Sequence, residues 1–219
     1  TIHGEENREY LPLEEFSPWL AKATMAIEDD DFYSHLGFDI GGLVKAVMHE
    51  VFGIGPKRGG STITQQLAKN VFLSRDRTFS RKFKELFLAF KLEATYSKDD
   101  ILELYLNKIP YGNNAHGAEA AAKTFFGKSA RDLSIAEAAI LASLPVAPTR
   151  FSPFGANKDL LLGANYYDEE TGKYGYRKGR KDLVLQRMLA LGLITDEEFS
   201  QAWGEAKAKE FTTYRTDIK

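Results

Sequence analysis

A mainly α-helical fold is predicted by three features of this sequence. Apolar residues recur at helical spacing in several segments, helix start and stop signals bracket those segments, and runs with strand-like alternation are few. In chain order, Ser17 reads as an N-cap with Pro18 at the first helical position, and Leu20, Thr24 and Ile27 line one side. A helix is therefore expected from Pro18 to about Asp30. Leu43, Val44, Val47, Met48, Val51 and Phe52 form an amphipathic stripe bounded by glycines, with Lys45 and His49 off it. Thr62-x-x-Gln65 has capping-box spacing and opens another helix. Phe79, Phe83, Leu86, Phe87 and Phe90 then share one helical face, expected to be core, which leaves Arg81 and Glu85 together on the opposite face. "KDDILELYLNKIPYG" and "LSIAEAAILASLPVAP" are read as further helices, the second stopped by Pro145 and Pro148. Residues 155–180 break the pattern with glycines, charges and tyrosines. They read as an irregular surface excursion with room for a hairpin, before "KDLVLQRMLALGLITDEEF" resumes a helix–turn–helix.

A chain of 219 residues, 43% hydrophobic, is long for one domain and short for two, so one domain with room for two lobes is expected. The net charge of -2 hides a local asymmetry: Lys69 to Lys91 carries seven basic residues against Asp76 and Glu85. Nothing global points to nucleic acid, but a local anion site stays open. Cysteine is absent, which excludes disulfides and thiolate metal sites. No run approaches the roughly 20 apolar residues needed to span a bilayer, and no signal-peptide pattern opens the chain. A membrane anchor of the native protein is expected to lie outside this chain.

Three motifs carry chemistry. "AIEDDDFYSHLG" sets Glu28, Asp29, Asp30 and Asp31 in a row at an expected helix end, followed by Phe32, His35 and Gly37. Carboxylates there suit a general base, and the bland alternative is a solvated helix terminus. Consecutive acids point in different directions on a helix and supply a metal cage poorly. "GGSTITQQLAKN" joins glycines, a capped helix start and Lys69 into what resembles an anion cradle; an ordinary capped helix is the alternative. "RDRTFSRKFKE" surrounds Glu85 with Arg75, Arg77, Arg81, Lys82 and Lys84, either a set of surface ion pairs or a diphosphate site. Tyr166, Tyr167, Tyr174 and Tyr176 are read as local packing of the excursion, with contact to sugars or partners as the alternative.

With these motifs in order, the chain resembles the peptidoglycan glycosyltransferase family (glycosyltransferase family 51), the transglycosylase domain of class A penicillin-binding proteins and of monofunctional transglycosylases. E-D-x-x-F-x-x-H-x-G matches Glu28, Asp29, Phe32, His35 and Gly37, and G-x-S-T-x-T-Q-Q matches Gly59, Ser61, Thr62, Thr64, Gln65 and Gln66, continuing to Lys69 and Asn70. R-K-x-x-E matches Arg81, Lys82 and Glu85, and I-L-E-x-Y-L-N matches Ile101 to Asn107, followed by Gly112. "GAEAAAKTFFGK" and "LSIAEAAILASLPVAP" resemble the rest of the signature, and coverage runs from about Glu5 to Phe199.

The resemblance implies a lysozyme-like helical lobe with a smaller membrane-facing jaw at about 38–58. It implies one domain over 1–219 whose tail leads into a further connection. The reaction implied is polymerisation of lipid II into β-1,4-linked glycan, inverting at the donor MurNAc anomeric carbon and releasing undecaprenyl diphosphate. Glu28 matches the catalytic base and Glu85 the second essential carboxylate. Ser61, Gln66, Lys69, Asn70, Arg77, Arg81 and Lys84 match the donor and diphosphate site, with Asp29, His35, Lys82, Glu103, Tyr105 and Asn107 in support. No dedicated metal site and no required cofactor are implied, although Mg²⁺ or Mn²⁺ with the diphosphate is left open. Partners implied are lipid II, the growing glycan, the membrane surface through the jaw, a transpeptidase domain in the parent chain and moenomycin-type inhibitors; nucleic acid is not. The implied place is the outer face of the bacterial cytoplasmic membrane. Asp30 and Asp31 depart from members that carry a basic residue after the Glu-Asp pair, and the 155–180 excursion is longer than the family pattern. A lysozyme-like lytic glycosidase and a non-catalytic cell-wall binding module stay as alternatives.

Overall fold

A computed structural model describes residues 9–38, 61–72, 79–154 and 156–208. The Leu43–Phe52 stripe, nearly all of the expected jaw, Arg75 and Arg77, and the tail from 209 lie outside the described residues. The elements run α1 (Pro18–Glu28), α2 (Ile63–Phe72), α3 (Phe79–Thr95), α4 (Lys98–Lys108), β1 (Pro110–Gly112), β2 (Ala115–His116), α5 (Ala118–Phe126), α6 (Ile135–Ala142), α7 (Lys158–Leu162), β3 (Ala164–Asp168), β4 (Lys173–Arg177), α8 (Arg180–Ala190) and α9 (Asp196–Ala208). The described chain is thus mainly helical, with two short antiparallel hairpins. It divides into two compact units, 1–27 with 110–219, and 28–109.

In the first unit α6 is the centre. Its residues from Ala136 to Ala142 are all buried, as expected for a helix that is apolar nearly all round. Ser134 caps it through a complete capping box with Glu137, and the buried Glu137 carboxylate also takes an ion pair from Lys128 at 2.5 Å. Helices α8 and α9 pack on α6 and on each other. Ser17 stands where an N-cap of α1 was expected, but its hydroxyl donates to Leu133 O at 2.8 Å, tying the start of α1 to the residues before α6 instead.

Residues 156–180 contain the hairpin that the sequence left room for. Strands β3 and β4 pair residue for residue from Ala164 with Arg177 to Asp168 with Lys173, and Asp168 Oδ1 accepts from Glu170 N and Thr171 N to shape the loop between them. At the foot, the Tyr176 hydroxyl lies 2.7 Å from Asp182 Oδ2 and 3.0 Å from Leu162 O, its single proton shared between these two acceptors, with its ring edge-on to Trp203. Tyr176 is therefore a packing residue, while Tyr166, Tyr167 and Tyr174 are exposed. Gly179 lets the two ends of this segment meet, because a Cβ there would lie 2.2 Å from Gly163 N and 2.3 Å from Leu161 O.

The second unit packs α2 against α3 and α4. Here the sequence expectation for α3 is inverted. The phenylalanine row faces outward, with Phe83, Phe87 and Phe90 at 76%, 61% and 54% exposure, and the inward stripe is Glu85, Ala89 and Leu92. Periodicity finds two faces but cannot say which is inside. A small residue at Ala89 permits close helix approach, and the carboxylates on that side are paired.

The foot of the hairpin rests on a buried ion pair. Lys181 Nζ meets Asp182 Oδ1 at 2.6 Å with both side chains at 1% exposure or less, and the other oxygen of Asp182 serves Tyr176 and Gly179 N. Removing one partner strands a buried charge, so Asp182→Ala is expected to lower stability by roughly 3–5 kcal/mol. Urea unfolding measures it, and a loss below about 1 kcal/mol would contradict the assignment.

Candidate active site

Helix α1 ends on Glu28, and the chain turns at once into Asp29. Among the four acids Asp29 alone is buried, at 8% exposure, while Asp31 is exposed. Asp29 Oδ2 accepts the backbone N–H of Ile63, the first residue of α2, at 3.0 Å. His35 Nε2 lies 2.8 and 3.0 Å from its two oxygens. Gly37 N donates to His35 Nδ1 at 3.1 Å, so that nitrogen is the acceptor and the ring proton sits on Nε2, aimed at Asp29. An anion at a helix N-terminus is favoured by the unpaired N–H groups and the helix dipole.

Thr62 completes this helix start. Its hydroxyl donates to Gly37 O at 2.8 Å and accepts from Gln65 N at 3.2 Å, the N-cap half of the expected capping box. The Gln65 side chain donates to Gly37 O at 3.3 Å instead of closing the box. Gly37 itself has φ +82°, and a Cβ there would lie 2.9 Å from Glu93 Cγ, so the loop needs glycine on both counts.

With α2 held this way, Gln66 reaches Glu28. Its Nε2 donates to Glu28 Oε2 at 2.8 Å, with a longer approach to Ser61 O at 3.4 Å. The amide orientation follows from its other partner: the buried Tyr105 hydroxyl on α4 donates to Gln66 Oε1 at 3.1 Å. Glu28, Ser61, Gln66 and Tyr105 are thus brought together. Lys69 and Asn70, three and four residues after Gln66, share its face of α2 and are exposed.

Glu85 is buried at 3% exposure and pairs with half-exposed Lys82 at 2.5 Å. Lys84 is exposed on α3. Arg81 belongs to α3, but its side chain, like Arg77, lies outside the described residues. Asn107 is buried and donates to Glu103 O at 2.9 Å, one turn back on α4. Among the described residues no group of three or more His, Asp or Glu side chains is arranged to hold a metal ion.

Sequence reasoning missed Glu93 and Lys98. Thr64 Oγ1 donates to Glu93 Oε1 at 2.5 Å, Lys98 Nζ meets the same oxygen at 2.8 Å, and that ammonium lies 4.5 Å from the centre of the Phe32 ring. The Ser97-x-x-Asp100 box that opens α4 was a legible signal for where Lys98 sits.

Comparison with known proteins agrees with this fold. Residues 1–188 match the family model described as transglycosylase. The chain is 42% identical over 204 residues, 93% of its length, to penicillin-binding protein 1A of Neisseria flavescens, and equally so to that of Escherichia coli K12. It is 47% identical over 154 residues, 70% of its length, to penicillin-binding protein 2D of Bacillus subtilis. It spans 22–23% of the length of these relatives. The crystal structure of penicillin-binding protein 1A from Haemophilus influenzae covers 97% of this chain, which spans 19% of that one, with a TM-score of 0.52 and 26% identity. The chain therefore belongs to the transglycosylase family, and with it to the peptidoglycan glycosyltransferases.

Beside the site, Tyr33 donates to Asp99 Oδ1 at 2.7 Å, and its phenol is pushed up to about 12 by burial first and then by the Asp99 carboxylate. A raised folded value means that the contribution to stability is complete below pH 10 and is lost as pH rises through about 12. In a phenolate absorbance titration, the component absent from Tyr33→Phe should have its midpoint near pH 12. A Tyr33 midpoint at the ordinary value near 10 would contradict the hydrogen bond to Asp99.

Proposed function

We propose that this chain polymerises lipid II. The observation that carries the proposal is the Glu28 carboxylate held by the Gln66 amide, with Lys69 and Asn70 on the same face of α2. A sugar hydroxyl is a weak nucleophile, and an oriented carboxylate beside it lowers the cost of attack by taking its proton. The acceptor GlcNAc 4-hydroxyl oxygen forms its bond to the donor MurNAc anomeric carbon as the bond from that carbon to the diphosphate oxygen breaks. The hydroxyl proton goes to Glu28, and the bonding pair leaves with undecaprenyl diphosphate. One displacement converts the α-linked donor into a β-1,4 bond without a covalent enzyme intermediate.

Negative charge grows on the departing diphosphate, so cations that meet it there act on the transition state more than on the bound substrate. Lys69, Arg77, Arg81 and Lys84 take that role, with Ser61, Gln66 and Asn70 as polar partners. Glu85, held by Lys82, orients the cations and the donor; Asp29 and His35 hold the base and the helix start. Glu103, Tyr105 and Asn107 keep α4 in place, and Tyr105 sets the Gln66 amide. Mg²⁺ or Mn²⁺ would enter with the substrate diphosphate and neutralise part of its charge.

The reaction belongs at the outer face of the bacterial cytoplasmic membrane, where a polyprenyl-linked donor lies in the lipid and residues of the jaw would meet it. No helix among the described residues is long and apolar enough to cross a membrane. The relatives carry penicillin-binding names and are about four times longer, and we assign the parent a transpeptidase domain on that basis. Moenomycin-type inhibitors, which offer a lipid-linked phosphate, are expected to compete for the same cradle.

Lipid II and preformed glycan, each incubated with the protein, separate the possible activities. Chain growth from lipid II that falls at least 100-fold in Glu28→Gln and in Glu85→Gln is the expected result, an effect on the order of general-base and electrostatic contributions. Shortening of preformed glycan without growth would make the protein a lytic glycosidase, and a Glu28→Gln variant as fast as the parent would remove the proposed base.

A further inference from the structure

The Glu93 carboxylate joins the first two motifs to two helices outside them. Its side chain is only 5% exposed, and one oxygen, Oε1, receives both the Thr64 hydroxyl from α2 and the Lys98 ammonium from the first residue of α4. Its Cγ fills the space that glycine leaves at Gly37. Lys98, 17% exposed, sits with its charge over the Phe32 ring of the loop that follows Glu28. A buried carboxylate is tolerable only when paired, so removing either donor disturbs all the segments that meet there.

Two links therefore join α2 to α4: Thr64–Glu93–Lys98 at one place and Gln66–Tyr105 at the other. Thr64 and Gln66 are two residues apart on α2, and Lys98 and Tyr105 are seven apart on α4, so the links lie at separate points along both helices. Together they fix how α2 sits on α4. The Gln66 amide needs that placement, because its oxygen is read by α4 and its NH₂ by Glu28.

We infer that Lys98 and Glu93 are positioning residues, which act through Thr64 to seat α2 so that Gln66 holds the catalytic carboxylate. Neither touches the reacting atoms. The kinetic half of this inference rests on the lipid II reading; the structural half does not.

Lys98→Met keeps the aliphatic stem and removes the ammonium. In the full chain it should lower kcat for lipid II polymerisation at least tenfold with KM within about twofold, since a small misplacement of an oriented group costs rate more than binding. Lys98→Arg should restore most of the rate. In a Gln66→Ala background, Lys98→Met should add less than about twofold, because both changes break one unit. Thr64→Val tests the same chain while leaving the Lys98–Glu93 pair intact, and is expected to show the same kcat loss and the same non-additivity should Lys98→Met fail to fold. The Gln66 side-chain amide NMR signals, identified by their loss in Gln66→Ala, provide a readout independent of turnover, and both Lys98→Met and Thr64→Val should shift them. A parent that never extends lipid II would defeat the functional reading and leave this readout standing. Unmoved Gln66 amide signals, or a Lys98→Met loss that multiplies in full with Gln66→Ala, would overturn the positioning role.

Discussion

The second unit depends on the Asp29 carboxylate. One buried side chain terminates a helix N-terminus, through the Ile63 N–H, and fixes an imidazole, through His35 Nε2, directly after the residue that carries the proposed base. Charge-assisted bonds of this kind are roughly twice as strong as neutral ones, and the positive end of α2 adds to both. Because Glu28 and Asp29 are adjacent in the chain, anchoring Asp29 to α2 also sets where α2 can meet Glu28. The Gln66 contact is then a consequence: α2 starts at Asp29, turns once, and delivers an amide to the neighbouring carboxylate.

Support for that contact comes in layers. Thr62 and Gln65 tie the start of α2 to Gly37 O, so the loop after the acids and the helix share a common boundary. Tyr105 then chooses which end of the Gln66 amide faces Glu28, and Glu93 with Lys98 holds the helix that Tyr105 belongs to. Each layer pairs polar groups where solvent is scarce, although the Gln65 Oε1 oxygen beside them is buried without a hydrogen-bond partner among the described residues. Buried pairs of this sort contribute little net stability compared with apolar packing, but they specify one arrangement where apolar contacts would accept several. The first unit uses the same device for a different end, in the Lys181–Asp182 pair under the hairpin.

Much of this was legible in the chain and some was not, for identifiable reasons. The helices after Thr62, Ser97 and Ser134 begin where capping residues stand, since caps are local chemistry that spacing reveals, and α1 begins at the proline expected in its first position. The acid run could be seen but not sorted: only the fold distinguishes Asp29, which caps a helix 34 residues away, from its neighbours. The phenylalanine row of α3 misled because hydrophobic periodicity assumes the apolar face is inside, whereas here the inward side is built from Ala89, Leu92 and paired carboxylates. Glu93 and Lys98 were invisible as a pair because their meaning lies in Thr64 and Phe32, residues distant in sequence. The tyrosine-rich segment was recognised as a departure, and its regular pairing followed from alternation too short to stand out between glycines.

If Asp29 holds α2 against Glu28, a crystal structure of Asp29→Ala will show the two apart. In that variant His35 is expected to leave its present position, the first turn of α2 to shift, and Gln66 Nε2 to move beyond about 3.5 Å from Glu28 Oε2, outside hydrogen-bond reach. A variant structure in which that contact stays at 2.8 Å with α2 unmoved would contradict that role of Asp29.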